Sequence, residues 1–349
     1  MLRARPLLAP FVSLFSLFAL TTVTLSAHAD PIVLKIATQA PDGTPWATLL
    51  TDYKSAVESA SKGRIKVVTF LGGKKGDENE TVRMAGNGGL QAVAASTGAL
   101  ASLVPELNML EIPFTFKSFG EADYVLDEVL TAPMEKLFRD RGLVLGFWSE
   151  NGFRHFGSNF EIKTPADLKS QKVRSQESAV HTWMWGVFGA AFQAIPTTEV
   201  LTALTNHNVD GFDQTLLFAI AAKWHKTVKY VTMSGHIYQP AAVAFNKAWF
   251  DALEPDLQKI LIDAGRAVRP DQKTSLQESG REQIRALNKD LIKLLKKDGV
   301  TVNKLDDAGR KAFESAIAAE LPAFMKGQPE SSKKIRALIE AGLKTFRSK

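Results

Sequence analysis

Two arginines twenty residues apart, Arg154 and Arg174, are the side chains of this sequence best suited to seize a small anion. A guanidinium is planar, keeps its charge, and presents paired N–H donors that match the two oxygens of a carboxylate. Both lie in the stretch from Gly152 to Gln214. Arg154 closes Gly152-Phe153-Arg154, and Arg174 closes Lys172-Val173-Arg174. Between them runs Ile162-Lys163-Thr164-Pro165-Ala166-Asp167-Leu168-Lys169. A helix-period run follows from Val180 to Phe188, then Glu199 to Leu204, then Val209-Asp210-Gly211-Phe212-Asp213-Gln214. An arginine taken alone is usually a surface or ion-pairing residue, so the chemistry rests on the motif around these two.

That motif resembles the extracytoplasmic solute-binding proteins of the tripartite ATP-independent periplasmic (TRAP) transporters, the DctP family. In that family "G-x-R … D-L-K-G-x-K-x-R" precedes "E-x-x-x-A-L … V-D-G". The resemblance covers about residues 32 to 325 and is strongest in the middle. It implies that Arg174 grips a ligand carboxylate and that Arg154 supports it. It further implies an α/β, two-lobe periplasmic-binding-protein (type II-like) fold, with hinge strands and a long helix spanning both lobes. The implied function is delivery of a small organic acid to the integral membrane permease subunits of the transporter.

The chain departs from the family pattern at several places that bear on the ligand. Ser175-Gln176-Glu177 stands where Val-Pro is usual, and Glu177 could compete for Arg174. His207-Asn208 replaces a glycine and an apolar residue, Gln214 replaces a frequent asparagine, and Thr197 falls where some members have an aromatic. Gln214, Thr197 and the neighbouring Phe212 are accordingly candidate ligand contacts.

The first residues carry Arg3 and Arg5, an apolar run from Leu7 to Leu25, and Ala27-His28-Ala29. This reads as a secretory signal peptide cleaved after Ala29, diluted by too many hydroxyl residues for a membrane anchor. There is no cysteine, so a lipid-modified cysteine, disulfides and thiol chemistry are excluded. A free periplasmic protein is expected. The net charge of +6 divides unevenly: the leader holds +2 and residues 329–349 hold +4, leaving the body balanced. A polyanion-binding face, and with it nucleic acid as a partner, is not expected.

About 300 mature residues, 45% hydrophobic over the whole chain, exceed what one core usually organises. Ile32 to Thr38 reads as a buried strand, and Thr44-Pro45 as a helix start. Trp46, Leu49, Leu50, Tyr53 and Val57 share a helical face, and Arg64 to Phe70 is the next strand. This is a βαβ opening, and ligands of such sheets bind beyond the C-terminal strand ends. Gln39 lies at one such end, and Ser96 and Thr97 at another, after the short strand Gln91 to Ser96. The turn Gly72 to Asp77 lacks the order of a phosphate-binding loop and leads into a capping pattern at Asp77-Glu78-Asn79-Glu80. A strand from Leu143 ends at Trp148, which is counted with the cleft residues.

Chain crossings are expected near Asn151 and near Gln239-Pro240, with Ala241 to Phe245 returning to the first sheet. The expected division is residues 1–29 signal peptide, 30–151 with 240–279 lobe I, 152–239 with 280–328 lobe II, and 329–349 a basic tail. The helical pattern from Pro255 to Lys297 suits the long helix, with Pro270 able to break it. The tail is at most an amphipathic basic helix, either disordered or weakly docked on an acidic partner.

Trp183, Trp185, Phe188 and Phe192 form an aromatic stretch after Arg174. An apolar helical stripe is usually core, but one ring could floor the pocket, which leaves open a bulky apolar or lipid-like ligand. A sensory binding protein for a membrane kinase would share the same fold. For an enzyme the sequence offers no G-x-S-x-G, no H-E-x-x-H and no metal-like histidine spacing. No catalytic residue, cofactor or metal is expected.

Overall fold

The computed structural model describes Met1 and residues 30–270 and 272–349; the expected leader and its cleavage site lie outside them. Among the described residues nine strands form one sheet: β1 (Ile32–Thr38), β2 (Ile65–Phe70), β3 (Ala92–Ser96), β4 (Leu143–Ser158), β5 (Lys172–Ser175), β6 (Ala191–Ala194), β7 (Gly211–Thr215), β8 (Tyr230–Asn246) and β9 (Thr301–Lys304). Their order is β2-β1-β3-β8-β4-β7-β5-β6, with β9 also paired to β8. The predicted opening is present: β1 runs parallel to β2 and β3. Between β1 and β2, the helix Pro45–Ala60 starts on Thr44, whose hydroxyl accepts from the Ala47 amide, and buries the expected face of Trp46, Leu49, Leu50, Tyr53 and Val57.

Two long antiparallel strands tie two lobes together. The second half of β8 pairs with β3 in the first lobe, while the second half of β4 pairs with β7 in the second. Along their mutual ladder the register shifts between Glu150 opposite Pro240 and Gly152 opposite Gln239, so Asn151 is an inserted residue. Gly152 has φ of +97°, a conformation open to glycine at little cost, and it sits beside the insertion.

In the first lobe alternate residues of β3 enter different cores. Ala92 and Ala94 pack with Leu34, Ile36, Leu49 and Phe147, whereas Val93 and Ala95 pack with Leu107, Leu126, Phe138 and Leu145. Covering both faces is what a parallel sheet of small and β-branched residues requires. The second lobe has its own cores, one around Phe156, Val173, Trp185, Phe188 and Phe313, the other around Val200, Leu204, Phe212 and Trp224.

The helical pattern from residue 255 resolves into Pro255–Arg266, Leu276–Ala286 and Asn288–Lys297. The gap holds Pro270, which cannot donate a helical hydrogen bond. The later two segments are nearly continuous and pass between lobes: the first packs on the helix Pro45–Ala60, the second on the helix Leu216–Ala221 and β9. The tail differs from expectation. Glu330–Arg347 is a helix whose Ile335, Ile339 and Leu343 enter the first-lobe core, and Arg347 pairs with Glu121 at 2.8 Å. Lys334 and Lys344 are exposed, Arg336 turns in to Thr115, and the apolar stripe is satisfied within the chain. No helix of the described residues is long and apolar enough to cross a membrane.

Candidate functional site

Between the lobes lies a largely buried, polar cavity. Its wall is built from strand ends, as an α/β sheet directs. Thr38 ends β1 and Gln39 follows it, and Ser96 closes β3. Arg174 stands near the end of β5, and Gln214 and Thr215 end β7; Asn151 and Gln239 come from the middle of β4 and β8. Five of the expected contacts, Arg174, Gln214, Gln39, Ser96 and Thr197, therefore line one cavity.

Arg174 is 2% exposed, and its Nε donates to the Ile195 carbonyl at 3.0 Å. That bond fixes the guanidinium plane while Nη1, also buried, has no protein partner. The Trp224 ring lies 5.4 Å from the guanidinium carbon. Burial, with Arg154 adding repulsion, lowers the Arg174 pKa to about 10, which leaves the group cationic near neutrality. A buried cation with free donors in a closed cavity is a site for an anion.

Arg154, expected among the ligand contacts, does not reach the cavity. It is wholly buried, with Nε donating to Asp213 Oδ2 and Nη2 to the Asp213 carbonyl, both at 2.6 Å. Its Nη1 lies 2.9–3.1 Å from the side-chain oxygens of Gln176, Gln214 and Gln239. Those three amides line the cavity with their oxygens toward Arg154; Gln239 Nε2 is taken by Glu111 and Gln176, Gln176 Nε2 gives one bond to Ser96, and Gln214 keeps its NH₂ as a donor. Arg154 thus sets the polarity of the wall from behind. Asp213 is held ionised, well below the usual carboxylate range, because Arg154 and His181 outweigh the opposing effect of burial.

Three other expected contacts lie elsewhere. Thr97 turns inward, its hydroxyl 2.5 Å from Glu111 Oε1 and 3.0 Å from the Pro240 carbonyl. Trp148 sits in the first-lobe core against Phe138 with its indole N–H on Thr131. Phe212 packs edge-on to Trp224, one layer behind Arg174. Trp148 lies in β4, where neighbouring side chains point to opposite faces, and Thr97 opens the helix Thr97–Leu100 after β3, so proximity in sequence to a cleft residue is no guide to facing the cleft.

The aromatic stretch after Arg174 is also not a pocket floor. Trp185 and Phe188 are core, Trp183 stacks on Phe324, and Phe192 is on the surface. The apolar part of the cavity comes instead from Trp46, Leu217 and Phe218. Glu177 is exposed and accepts from Asn79 across the lobes, while the adjacent Gln176 faces the cavity. Reading the sequence missed Gln176 and Glu78. Glu78 was legible as part of a helix start, but Asp77 does the capping, accepting from the Glu80 amide. The Glu78 carboxylate turns instead to Ser96, accepting from its amide and hydroxyl.

Two lobes closed over a polar cavity, with a buried cation in its wall, define a solute-binding receptor. The chain belongs to the bacterial extracellular solute-binding proteins, family 7, whose model matches residues 36–328. It is similar to a solute-binding protein of Verminephrobacter eiseniae, 32% identical over 275 residues, 78% of this chain and 79% of that one. The 2,3-diketo-L-gulonate-binding periplasmic protein YiaO of Escherichia coli is 29% identical over 294 residues, 82% of this chain and 85% of its own. Among solved structures, the sugar acid binding protein of Advenella mimigardefordensis in complex with galactonate matches with a TM-score of 0.82 at 26% identity, covering 90% of this chain and 99% of that one.

Proposed function

We propose that the protein is a periplasmic receptor, freed from its leader after Ala29, that holds a small hydroxylated organic acid and delivers it to the membrane permease of a TRAP-type transporter. Arg174 anchors the acid by its carboxylate. The single observation that carries this reading is the buried, positioned guanidinium with free donors in an enclosed cavity. The amides of Gln39, Gln176, Gln214 and Asn151 and the hydroxyl of Thr197 suit a ligand with several hydroxyl groups, since a buried polar wall needs polar partners. The sugar-acid ligands named for YiaO and for the Advenella protein support the same class. The lobes are assigned as residues 30–151 with 240–279, and 152–239 with 280–328. The helix Glu330–Arg347 joins the first, and the hinge lies where Asn151 faces Gln239 and Pro240.

The test is mass spectrometry of the native protein from the periplasmic fraction. A mature N-terminus at Asp30 and a co-purified hydroxy acid are expected. Retention of an uncleaved leader in the membrane contradicts the receptor as stated. Scattering with and without the acid should show compaction, because a ligand drives closure by as much as it prefers the closed state; identical curves would contradict a hinge at this place.

A further inference from the structure

Two charged side chains line the cavity among the described residues: Arg174 from the second lobe and Glu78 from the first. Glu78 opens the helix Glu78–Asn87 and is clamped by Ser96, whose amide donates to Oε1 and whose hydroxyl donates to Oε2, each at 2.8 Å. The clamp is itself held. Ser96 Oγ accepts from Gln176 Nε2 at 3.1 Å, across the lobes. An ionised carboxylate has about four acceptor positions, and Ser96 uses two, so Glu78 retains acceptor capacity on the cavity side. Burial pushes its pKa above the ordinary carboxylate value, while the two Ser96 donors pull it back toward the charged form.

We infer that Glu78 is the specificity-determining residue of the site: it accepts hydroxyl hydrogens of the ligand and excludes a second carboxylate, making this a receptor for hydroxy monocarboxylates and not for dicarboxylates. The inference rests on the reading that Arg174 holds the ligand carboxylate. With Arg174 and Glu78 opposed, the wall is electrically balanced before the ligand enters. A monocarboxylate meets Arg174 and offers hydroxyl donors to Glu78. A dicarboxylate of the same length brings its second charge against Glu78, with no other cation in the lining to accept it. Rejection by an introduced like charge is the usual way that closely similar ligands are told apart.

Matched pairs of acids test this without change of length or of the remaining hydroxyls: galactonate against galactarate, and erythronate against meso-tartrate. Each pair differs only at the far terminus, an alcohol in one and a carboxylate in the other. Calorimetry on the mature wild type should favour the monocarboxylate of at least one pair by about a hundredfold, the scale of a like-charge penalty. Glu78→Gln keeps the side-chain shape and should narrow that preference at least about tenfold by gaining the dicarboxylate. Equal binding within both pairs, binding of neither monocarboxylate, or an unchanged preference in Glu78→Gln overturns the role of Glu78. Arg174→Ala separates the two claims. It should weaken both members of a pair, and if it leaves monocarboxylate affinity unchanged the anchor reading fails, whatever Glu78→Gln does.

Discussion

His181 and Glu111 meet across the lobes with the imidazole Nε2 2.7 Å from the carboxylate, and neither side chain is exposed. His181 Nδ1 lies 3.4 Å from Asp213, which also holds Arg154. Two carboxylates and two cations are thus buried together, and the group is neutral only when His181 is protonated. Burial and Arg154 oppose that proton, but Asp213 and Glu111 outweigh them and raise the His181 pKa above 6.5. On Glu111 burial acts upward, and His181 with Thr97 outweighs it, so its pKa falls below 4.5.

The signs fix a pH dependence. A raised histidine pKa stabilises fully below 6.5, the ordinary value, and loses that contribution as pH rises through the folded value. A lowered carboxylate stabilises above its ordinary 4.5 and loses that contribution as pH falls through the folded value. Melting temperature should therefore be highest between these limits, declining as pH rises through the folded His181 value and as it falls through the folded Glu111 value. His181→Gln should remove the alkaline decline and cost about 3 to 5 kcal/mol, since it leaves two buried carboxylates facing one arginine. A variant with the wild-type pH profile would contradict the link.

Arg154→Ala is expected to act on the fold before it acts on the ligand. It strips Asp213 of its arginine partner and three glutamines of their common donor. The cost should be about 3 to 5 kcal/mol of stability. Arg174 has one hydrogen bond to the protein, so Arg174→Ala should melt near wild type. Calorimetric melts of the two variants side by side decide it, and equal melting of Arg154→Ala and wild type would show that Arg154 is not structural.

Removing residues 329–349 should destabilise the protein and not merely shorten it. Ile335, Ile339 and Leu343 are each under 5% exposed, and burying such a side chain stabilises by about 1.5 to 3 kcal/mol. Arg347 and Arg336 also bond Glu121 and Thr115. A truncated chain with an unchanged melting temperature would return the segment to the loosely attached tail that its composition suggests.

Much of this was legible in the sequence where local rules decide. The Thr44 cap, the apolar face of the first helix, the strand Ile32–Thr38 and the return of Ala241–Phe245 to the first sheet follow from spacing and propensity. The two arginines show the limit. Residue type and motif mark both, yet one is saturated by Asp213 and the other is left with free donors, and that difference depends on β7 lying beside β4. Glu78 carried a sound local explanation as part of a helix start, which masked its contact with Ser96 eighteen residues on. The final helix displays its Ile335, Ile339, Leu343 stripe plainly, but the surface that receives it comes from residues about two hundred positions earlier.

The central claim is that Arg174 holds a ligand carboxylate in the closed cavity, and calorimetric titration of Arg174→Ala and Arg174→Lys with the co-purified acid tests it most directly. Loss of a desolvated, paired contact costs about 3 to 5 kcal/mol, or about two to three and a half orders of magnitude in affinity. Arg174→Lys should recover only part, because an ammonium cannot reproduce the planar fork. Arg174→Ala that is folded like the wild type and binds the acid just as tightly would contradict the account.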